Sequence, residues 1–201
     1  GKCMLKNVIF DLGNVCVTFQ PDLYFYPKYQ HDTKRLCQKL FHSQIWSNYD
    51  QGLIQKEDIY RYFQNDEDQE ALYDMITNWY QLLKVLPETM ECFQQLKAKG
   101  YQIYILSNTS KEGADTCLSL HENFAFIDGA VYSYEIKVNK PDVEIYQALI
   151  DKYQLKVDEC IFLDDKKENI DTALQLGMQG IVCEDIRTCI NTLWQQLEDS
   201  K

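Results

Sequence analysis

Five side chains far apart in the chain have complementary chemistry. Asp11 follows the short apolar run Val8-Ile9-Phe10 and opens Asp11-Leu12-Gly13-Asn14. Ser107-Asn108-Thr109 follows Ile103-Tyr104-Ile105-Leu106. Lys140 precedes Pro141, and Asp164-Asp165 closes Ile161-Phe162-Leu163, with Asn169 shortly after. Three carboxylates gathered at one place repel one another and need a cation, and oxygen ligands of this type suit magnesium. A serine hydroxyl, the backbone amides after it and a lysine ammonium face an anion. A divalent cation beside an anion pocket is the equipment for phosphoryl transfer.

These residues meet only if the elements before them run side by side. Five apolar segments predict buried strands: Leu5 to Asp11, Gln102 to Leu106, Ala130 to Ser133, Cys160 to Asp164 and Gly180 to Cys183. Helix patterns alternate with them at Pro87 to Lys99, Asp142 to Tyr153, Glu168 to Leu176 and Ile186 to Leu197, with Gly100 and Gly177 as stops. Strands alternating with helices imply an α/β class protein, a doubly wound, Rossmann-like parallel sheet covered on both faces. Ligands in such sheets bind beyond the carboxyl ends of the strands, where all five side chains fall.

The stretch 19–86 breaks the alternation. It holds no convincing strand and has helical patterns near 33–41, 43–49, 56–63 and 67–83, joined at Asp50-Gln51-Gly52 and Asn65-Asp66. An insertion of nearly 70 residues is too long for an ordinary connection. It reads as a helical cap on a core made of residues 1–18 and 87–201. Tyr24-Phe25-Tyr26, Trp46/Tyr49 and Trp79/Tyr80 read as packing rather than as substrate platforms.

Composition narrows the partners. The 31 acidic against 20 basic residues give a net charge of −11, which disfavours binding to a nucleic-acid backbone. No apolar run approaches the length of a membrane span, and no charged-then-apolar leader opens the chain. The eight cysteines include no Cys-x-x-Cys and no zinc-like cluster, so they read as buried thiols of a reducing, cytoplasmic setting. His31, His42 and His121 form no metal motif and read as surface residues.

Each short motif also has a plain reading. Asp11 and Asp164-Asp165 could cap helices, as could Ser107, Asn108 or Thr109, and Lys140 could be a solvated loop lysine. Their order along the chain decides between the readings. Asp11-Leu-Gly-Asn-Val, Ser107-Asn, Lys140-Pro and Asp164-Asp165-x-x-x-Asn169 resemble the four ordered motifs of the haloacid dehalogenase superfamily, and 19–86 resembles its small helical cap. Phe-Asp-Leu-Gly-Asn-Val is similar to a subgroup containing bacterial sugar-1-phosphate phosphatases, among them enzymes acting on glucose 1-phosphate.

The resemblance implies a magnesium-dependent phosphatase acting on a small phosphorylated metabolite. Asp11 would be the nucleophile that forms an aspartyl phosphate. Asp11, Asp165, the Gly13 carbonyl and, as a lesser ligand, Asp164 would hold Mg²⁺. Ser107 and the Asn108 amide would bind phosphate, and Lys140 would pair with phosphate and Asp11. Asn14 and Asn169 would support the site, Asn169 by orienting Lys140 or the aspartates. In one respect the chain departs from the pattern. The family's phosphatases usually carry an acid–base Asp two residues after the nucleophile, where this chain has Gly13. Such help is worth about 10² to 10⁴ in rate. Three explanations stay open: a substitute acid (Asn14, His31, His42 and Glu135 are the candidates), a substrate whose leaving group needs less help, or a degenerate phosphate-binding protein. The rival activity is a metal-free 2-haloacid dehalogenase, in which Asp164-Asp165 would have no purpose. A response-regulator receiver also groups acids, a hydroxyl and a lysine, but its acidic pair lies on the first strand.

Overall fold

The computed structural model describes residues 3–201. β1 (Asn7–Phe10) is buried along its whole length and lies at the centre of a five-stranded sheet. It pairs in parallel with β4 (Gln102–Ser107) on one side and β6 (Cys160–Asp164) on the other. β5 (Gly129–Tyr132) extends the sheet beyond β4, and β7 (Gln179–Val182) beyond β6, both in parallel. The order is β5-β4-β1-β6-β7.

Alternation along β1 explains the layers. Val8 and Phe10 face one core with Met90, Phe93 and Leu96 of α6 (Pro87–Ala98) and Leu193 and Leu197 of α11 (Ile186–Asp199). Ile9 faces the other core, with Tyr146 and Leu149 of α9 (Val143–Tyr153) and Ile170 and Ala173 of α10 (Lys167–Gln175). Each fully buried Leu, Ile or Phe is worth about 1.5–3 kcal/mol. The sheet is therefore held from both faces, and its carboxyl edge is a rigid platform.

Between β2 (Val17–Thr18) and β3 (Lys84–Val85), which pair antiparallel, lies the helical insertion. It comprises α1 (Pro21–Tyr29), α2 (Thr33–Phe41), α3 (Gln44–Asp50), α4 (Lys56–Tyr62) and α5 (Gln69–Asn78). The buried residues of α2, Leu36, Cys37 and Leu40, recur at helical spacing, and Ser43 caps α3 by accepting from the Trp46 amide. Phe41, Trp46 and Trp79 pack edge to face and join the core beneath them. α7 (Lys111–Ser119) is tied to the insertion through Glu112, which accepts from Trp79 Nε1 at 2.6 Å and pairs with Lys56 at 3.0 Å. The short α8 (Ser133–Ile136) follows β5 directly.

Several local expectations need correction. The stretch 19–86 does contain a strand: β3, of two residues, is too short to show periodicity. α1 carries Pro21 and Pro27 and buries only Phe25, so it has no apolar stripe to read. The helical pattern at 67–83 breaks after Asn78 into a 3-10 turn at Trp79–Leu82, because the Trp79 ring turns inward and the Asn78 side chain bonds back to Asp74. The cysteines are not all thiols. Cys183, just after β7, and Cys189, in the first turn of α11, form a disulfide, since the tight β7–α11 turn brings their Cα atoms to 5.3 Å. Cys3 is exposed, whereas Cys16, Cys37, Cys92, Cys117 and Cys160 are buried thiols. No helix among the described residues is long and apolar enough to cross a membrane.

Candidate functional site

A parallel sheet sends the ends of its strands to one edge, and Asp11, Ser107, Asp164 and Asp165 are delivered there by β1, β4 and β6. Asp11, Asp164 and Asp165 each offer an oxygen within 4.8 Å of the others. Lys140 arrives from the loop before α9, next to a cis Lys140–Pro141 peptide. Its buried ammonium lies 3.0 Å from Asp11 Oδ1 and 2.7 Å from Asp164 Oδ2, and it donates to the Leu106 carbonyl at 2.9 Å.

The two members of the acidic pair have different surroundings. Asp164 is fully buried, and its oxygens accept from Lys140, from Asn169 Nδ2 at 3.1 Å and from the Lys166 amide at 2.9 Å. Its capacity is thus spent on fixing Lys140 and the loop. Asp165 is only half-buried and, among the described residues, accepts one bond, from Asn14 Nδ2 at 3.3 Å. Neither aspartate caps α10 with its side chain. Asp11 Oδ1 accepts from the Leu12 amide and Lys140, whereas its Oδ2 has no donor among the described residues.

Burial first, and the Asp164 charge second, push the Asp11 carboxyl up to about 7, against the opposing pull of Lys140. Burial also raises Asp165. For Lys140 burial acts to lower the ammonium, but Asp11 and Asp164 outweigh it and hold it above the usual lysine value. The Lys140 ammonium thus pairs with two of the three crowded carboxylates, and the third, Asp165, feels Lys166 as well as Lys140. An all-oxygen, acid-rich set at this spacing fits a hard divalent cation such as Mg²⁺, with Asp11 and Asp165 the members whose oxygens are least committed.

The anion side is built from the turn after β4. Ser107 is buried, and its hydroxyl has no protein partner among the described residues. The Asn108 side chain exchanges two bonds with the Lys140 backbone, at 2.7 and 3.0 Å, which locks the lysine loop to β4. That leaves Asn108 its backbone amide and one Nδ2–H for a ligand. The Thr109 amide is spent on Ser133 Oγ, and Ser110, not Ser107, Asn108 or Thr109, caps α7. Asn14 has a positive φ of 62°, held by the Phe19 amide on its Oδ1, which aims its Nδ2 at Asp165.

Asp11, Asn14, Ser107, Asn108, Lys140 and Asp165 line one cavity of about 730 Å³, whose far side is formed by the insertion, whereas Asp164 lies behind its wall. Phe19, Leu23, Phe41, Trp46 and Trp79 give that side an apolar wall, and His42, Ser47, Asp50 and Asn139 interrupt it. Trp46 and Trp79 therefore both pack and line the cavity. Among the candidate substitute acids, His42 is at the cavity, while His31 and Glu135 are exposed away from it. Asp50 and Lys166 also face the cavity and were not singled out from the sequence. Asp50 read as a polar joint, and only its neighbour Gly52 signalled that the chain makes a special turn there.

Over residues 5–177 the chain matches the family described as haloacid dehalogenase-like hydrolase. The chain belongs to this family. Within it, the chain is 25% identical to the sesquiterpene phosphatase astK of Aspergillus oryzae, across 92% of this chain and 93% of that protein. It is 27% identical to the (S)-2-haloacid dehalogenase 4A of Burkholderia cepacia, across 57% of this chain and half of that one. A haloacid dehalogenase-family enzyme of Bacteroides thetaiotaomicron, solved with magnesium and inorganic phosphate, superposes with a TM-score of 0.70 at 21% identity, over 90% of this chain and 96% of that one. The sheet and its flanking helices are those of a hydrolase of this family.

Proposed function

We propose that this hydrolase is a magnesium-dependent phosphatase of a small phosphomonoester, with the insertion acting as a cap. The observation that carries the reading is the convergence of Asp11, Asp165, Ser107 and Lys140 on one cavity, with no donor to Asp11 Oδ2 among the described residues. Asp11 attacks phosphorus, the ester oxygen leaves, and water then releases phosphate from the aspartyl phosphate. Asp11 and Asp165 would hold Mg²⁺, which would supply charge neutralisation for the approach of an anionic phosphate to an anionic carboxylate. Lys140 keeps Asp11 oriented and neutralised, and Ser107 and the Asn108 amide hold phosphate oxygens. The similarity to a sesquiterpene phosphatase supports phosphate chemistry, and the acidic pair argues against a metal-free dehalogenase.

On the leaving-group side, a sugar phosphate suits the mix of aromatic faces and polar groups such as Ser47 and Asn139. The apolar wall of Phe19, Leu23, Phe41 and Trp46 favours a second reading, the phosphate of an apolar alcohol. A panel of sugar and isoprenoid phosphates, assayed for phosphate release with Mg²⁺ or with EDTA, decides between them. Turnover is expected to need Mg²⁺ and to vanish in Asp11→Asn. Halide release from a 2-haloacid in EDTA, or phosphate release surviving Asp11→Asn, would overturn the reading.

A further inference from the structure

We propose that Asp50, carried by the insertion, is the proton donor and acceptor that this chain lacks at Gly13. The inference rests on the phosphatase reading and deepens it. Elimination within the cavity narrows the choice. Of the acids lining it, Asp11 is the attacking group, Asp165 is committed to the cation and Asn14, and Asp22 is exposed on α1. The Cys117 thiol is pushed by burial up to about 12 and holds its proton too tightly to cycle it. His42 is exposed. Asp50 remains.

Its position is fixed from the core side. Ser133 Oγ donates to the Asp50 carbonyl at 2.5 Å and accepts from the Thr109 amide at 2.8 Å. One hydroxyl thus ties the Asp50 backbone to the turn that carries Ser107. Lys137 Nζ donates to the Gly52 carbonyl at 2.8 Å, and Asn139 Nδ2 to Ser47 Oγ at 3.0 Å. Gly52 has a φ of +68°, and a Cβ there would run into the Tyr134 carbonyl, so this turn rests directly on the α8 backbone. The end of α3 that carries Asp50 is therefore tied to the phosphate-side loops, and the Ser110 backbone N–H donates to the Asp50 carboxyl.

The surroundings suit an acid that is neutral when substrate arrives. Asp50 is half-buried and lines the cavity, yet close packing removes it from bulk water, and this burial pushes its carboxyl up to about 8. The Ser110 amide of α7 and the Lys166 ammonium after β6 oppose that rise without cancelling it. Glu112 of α7 is engaged with Lys56 and Trp79, and α8 presents the Ser133 hydroxyl and the Tyr134 backbone.

The proton balance closes. Neutral Asp50 gives its proton to the ester oxygen as the ester P–O bond breaks and the Asp11 Oδ2–P bond forms, so a neutral alcohol leaves. Ionised Asp50 then takes a proton from the water whose oxygen attacks phosphorus. The Asp11–P bond breaks, inorganic phosphate departs, and both carboxyl groups return to their starting states.

The test compares two probes, n-butyl phosphate, whose alkoxide needs a proton to leave, and p-nitrophenyl phosphate, whose phenolate does not. Asp50→Asn keeps the shape and removes the acid. Its kcat/KM on butyl phosphate, which reports the step in which the ester oxygen leaves and not the hydrolysis of the aspartyl phosphate common to both probes, is expected to fall by about 10² to 10⁴, and by at least about tenfold more than its kcat/KM on the nitrophenyl ester. A Cβ at Gly13 meets only Phe19 Cβ, at 3.6 Å, an ordinary contact, so the backbone there has room to start a side chain. Adding Gly13→Asp to Asp50→Asn is expected to restore butyl phosphate turnover, which an acid at residue 13 would not do for a merely structural loss. Equal losses on the two probes, no loss, or no rescue would overturn the assignment. So would a wild type that hydrolyses only the nitrophenyl ester. If Asp11→Asn abolishes turnover while Asp50→Asn does not, the phosphatase reading stands and only the role of Asp50 falls. A wild type inactive on both probes and on the phosphate panel removes both.

Discussion

Replacing Lys140 with methionine tests the electrostatic design of the site without touching the nucleophile. The lysine side chain is 1% exposed and its ammonium meets Asp11 and Asp164 at 3.0 and 2.7 Å. Methionine fills similar space but leaves two buried carboxylates facing each other within 4.8 Å. At an effective dielectric of 20 that repulsion is about 3.5 kcal/mol, in line with the roughly 3–5 kcal/mol found when one partner of a buried pair is removed. For a chain of this size each kcal/mol moves Tm by about 2–4 °C, so the variant should melt about 6–20 °C lower in EDTA. The pH dependence fixes the sign. Burial and Asp164 already raise Asp11 to about 7 with the lysine present, and the variant must raise it further. A carboxyl with a raised folded-state pKa binds a proton more readily when folded, so stability is lost as pH rises through that value. The deficit should grow from pH 6 to pH 9, and Mg²⁺ should restore more stability to the variant than to the wild type. The assay is a thermal melt at both pH values, with Mg²⁺ and with EDTA. A variant that melts within about 1 °C of wild type at pH 9 in EDTA would refute the account of Lys140 as the counter-ion of these carboxylates.

Further expectations follow from the same geometry. Mg²⁺ at about 100 times its dissociation constant should add about 2.7 kcal/mol, seen as a Tm rise of about 5–10 °C that EDTA reverses and Asp165→Asn weakens. Gly52→Ala should cost at least about 2 kcal/mol by denaturant titration, from its left-handed backbone and the fixed Tyr134 carbonyl, and should lower kcat by shifting Asp50. Asp68 is held down to about 2 by Arg35 first and Lys39 second. Its contribution is present above the unfolded value near 4 and is lost as pH falls from about 4 to 2. It is screened at the surface to about 1 kcal/mol or less, so Asp68→Asn should differ from wild type in urea stability at pH 6 and converge with it near pH 2.

What the sequence determined by itself is the core and the order of its motifs. Buried strands announce themselves locally, as apolar runs such as Val8-Ile9-Phe10 and Ile161-Phe162-Leu163 ended by charge. A parallel sheet then sends every strand end to the same edge, which brings Asp11, Ser107 and Asp164-Asp165 together without further information. The amphipathic stripe of α2, with Leu36, Cys37 and Leu40 inside, was legible for the same reason. Tertiary structure alone decided the features that have no local period. The proline-bearing α1 bears only one buried residue, and the β2–β3 pair is two residues long on each strand. The resemblance ranks Asp165 above Asp164 as a ligand, but the physical reason is in the packing, where Asp164 is bonded to Lys140 and Asn169 and Asp165 is open to the cavity. Cys183 and Cys189 meet because of one turn's path, and Asp50 lies beside the Ser107–Ser110 turn because a helix from the insertion folds back onto α8. Periodicity reports a residue's own neighbours along the chain, whereas contacts between distant segments depend on how whole elements pack, and the identity of either partner alone does not encode them.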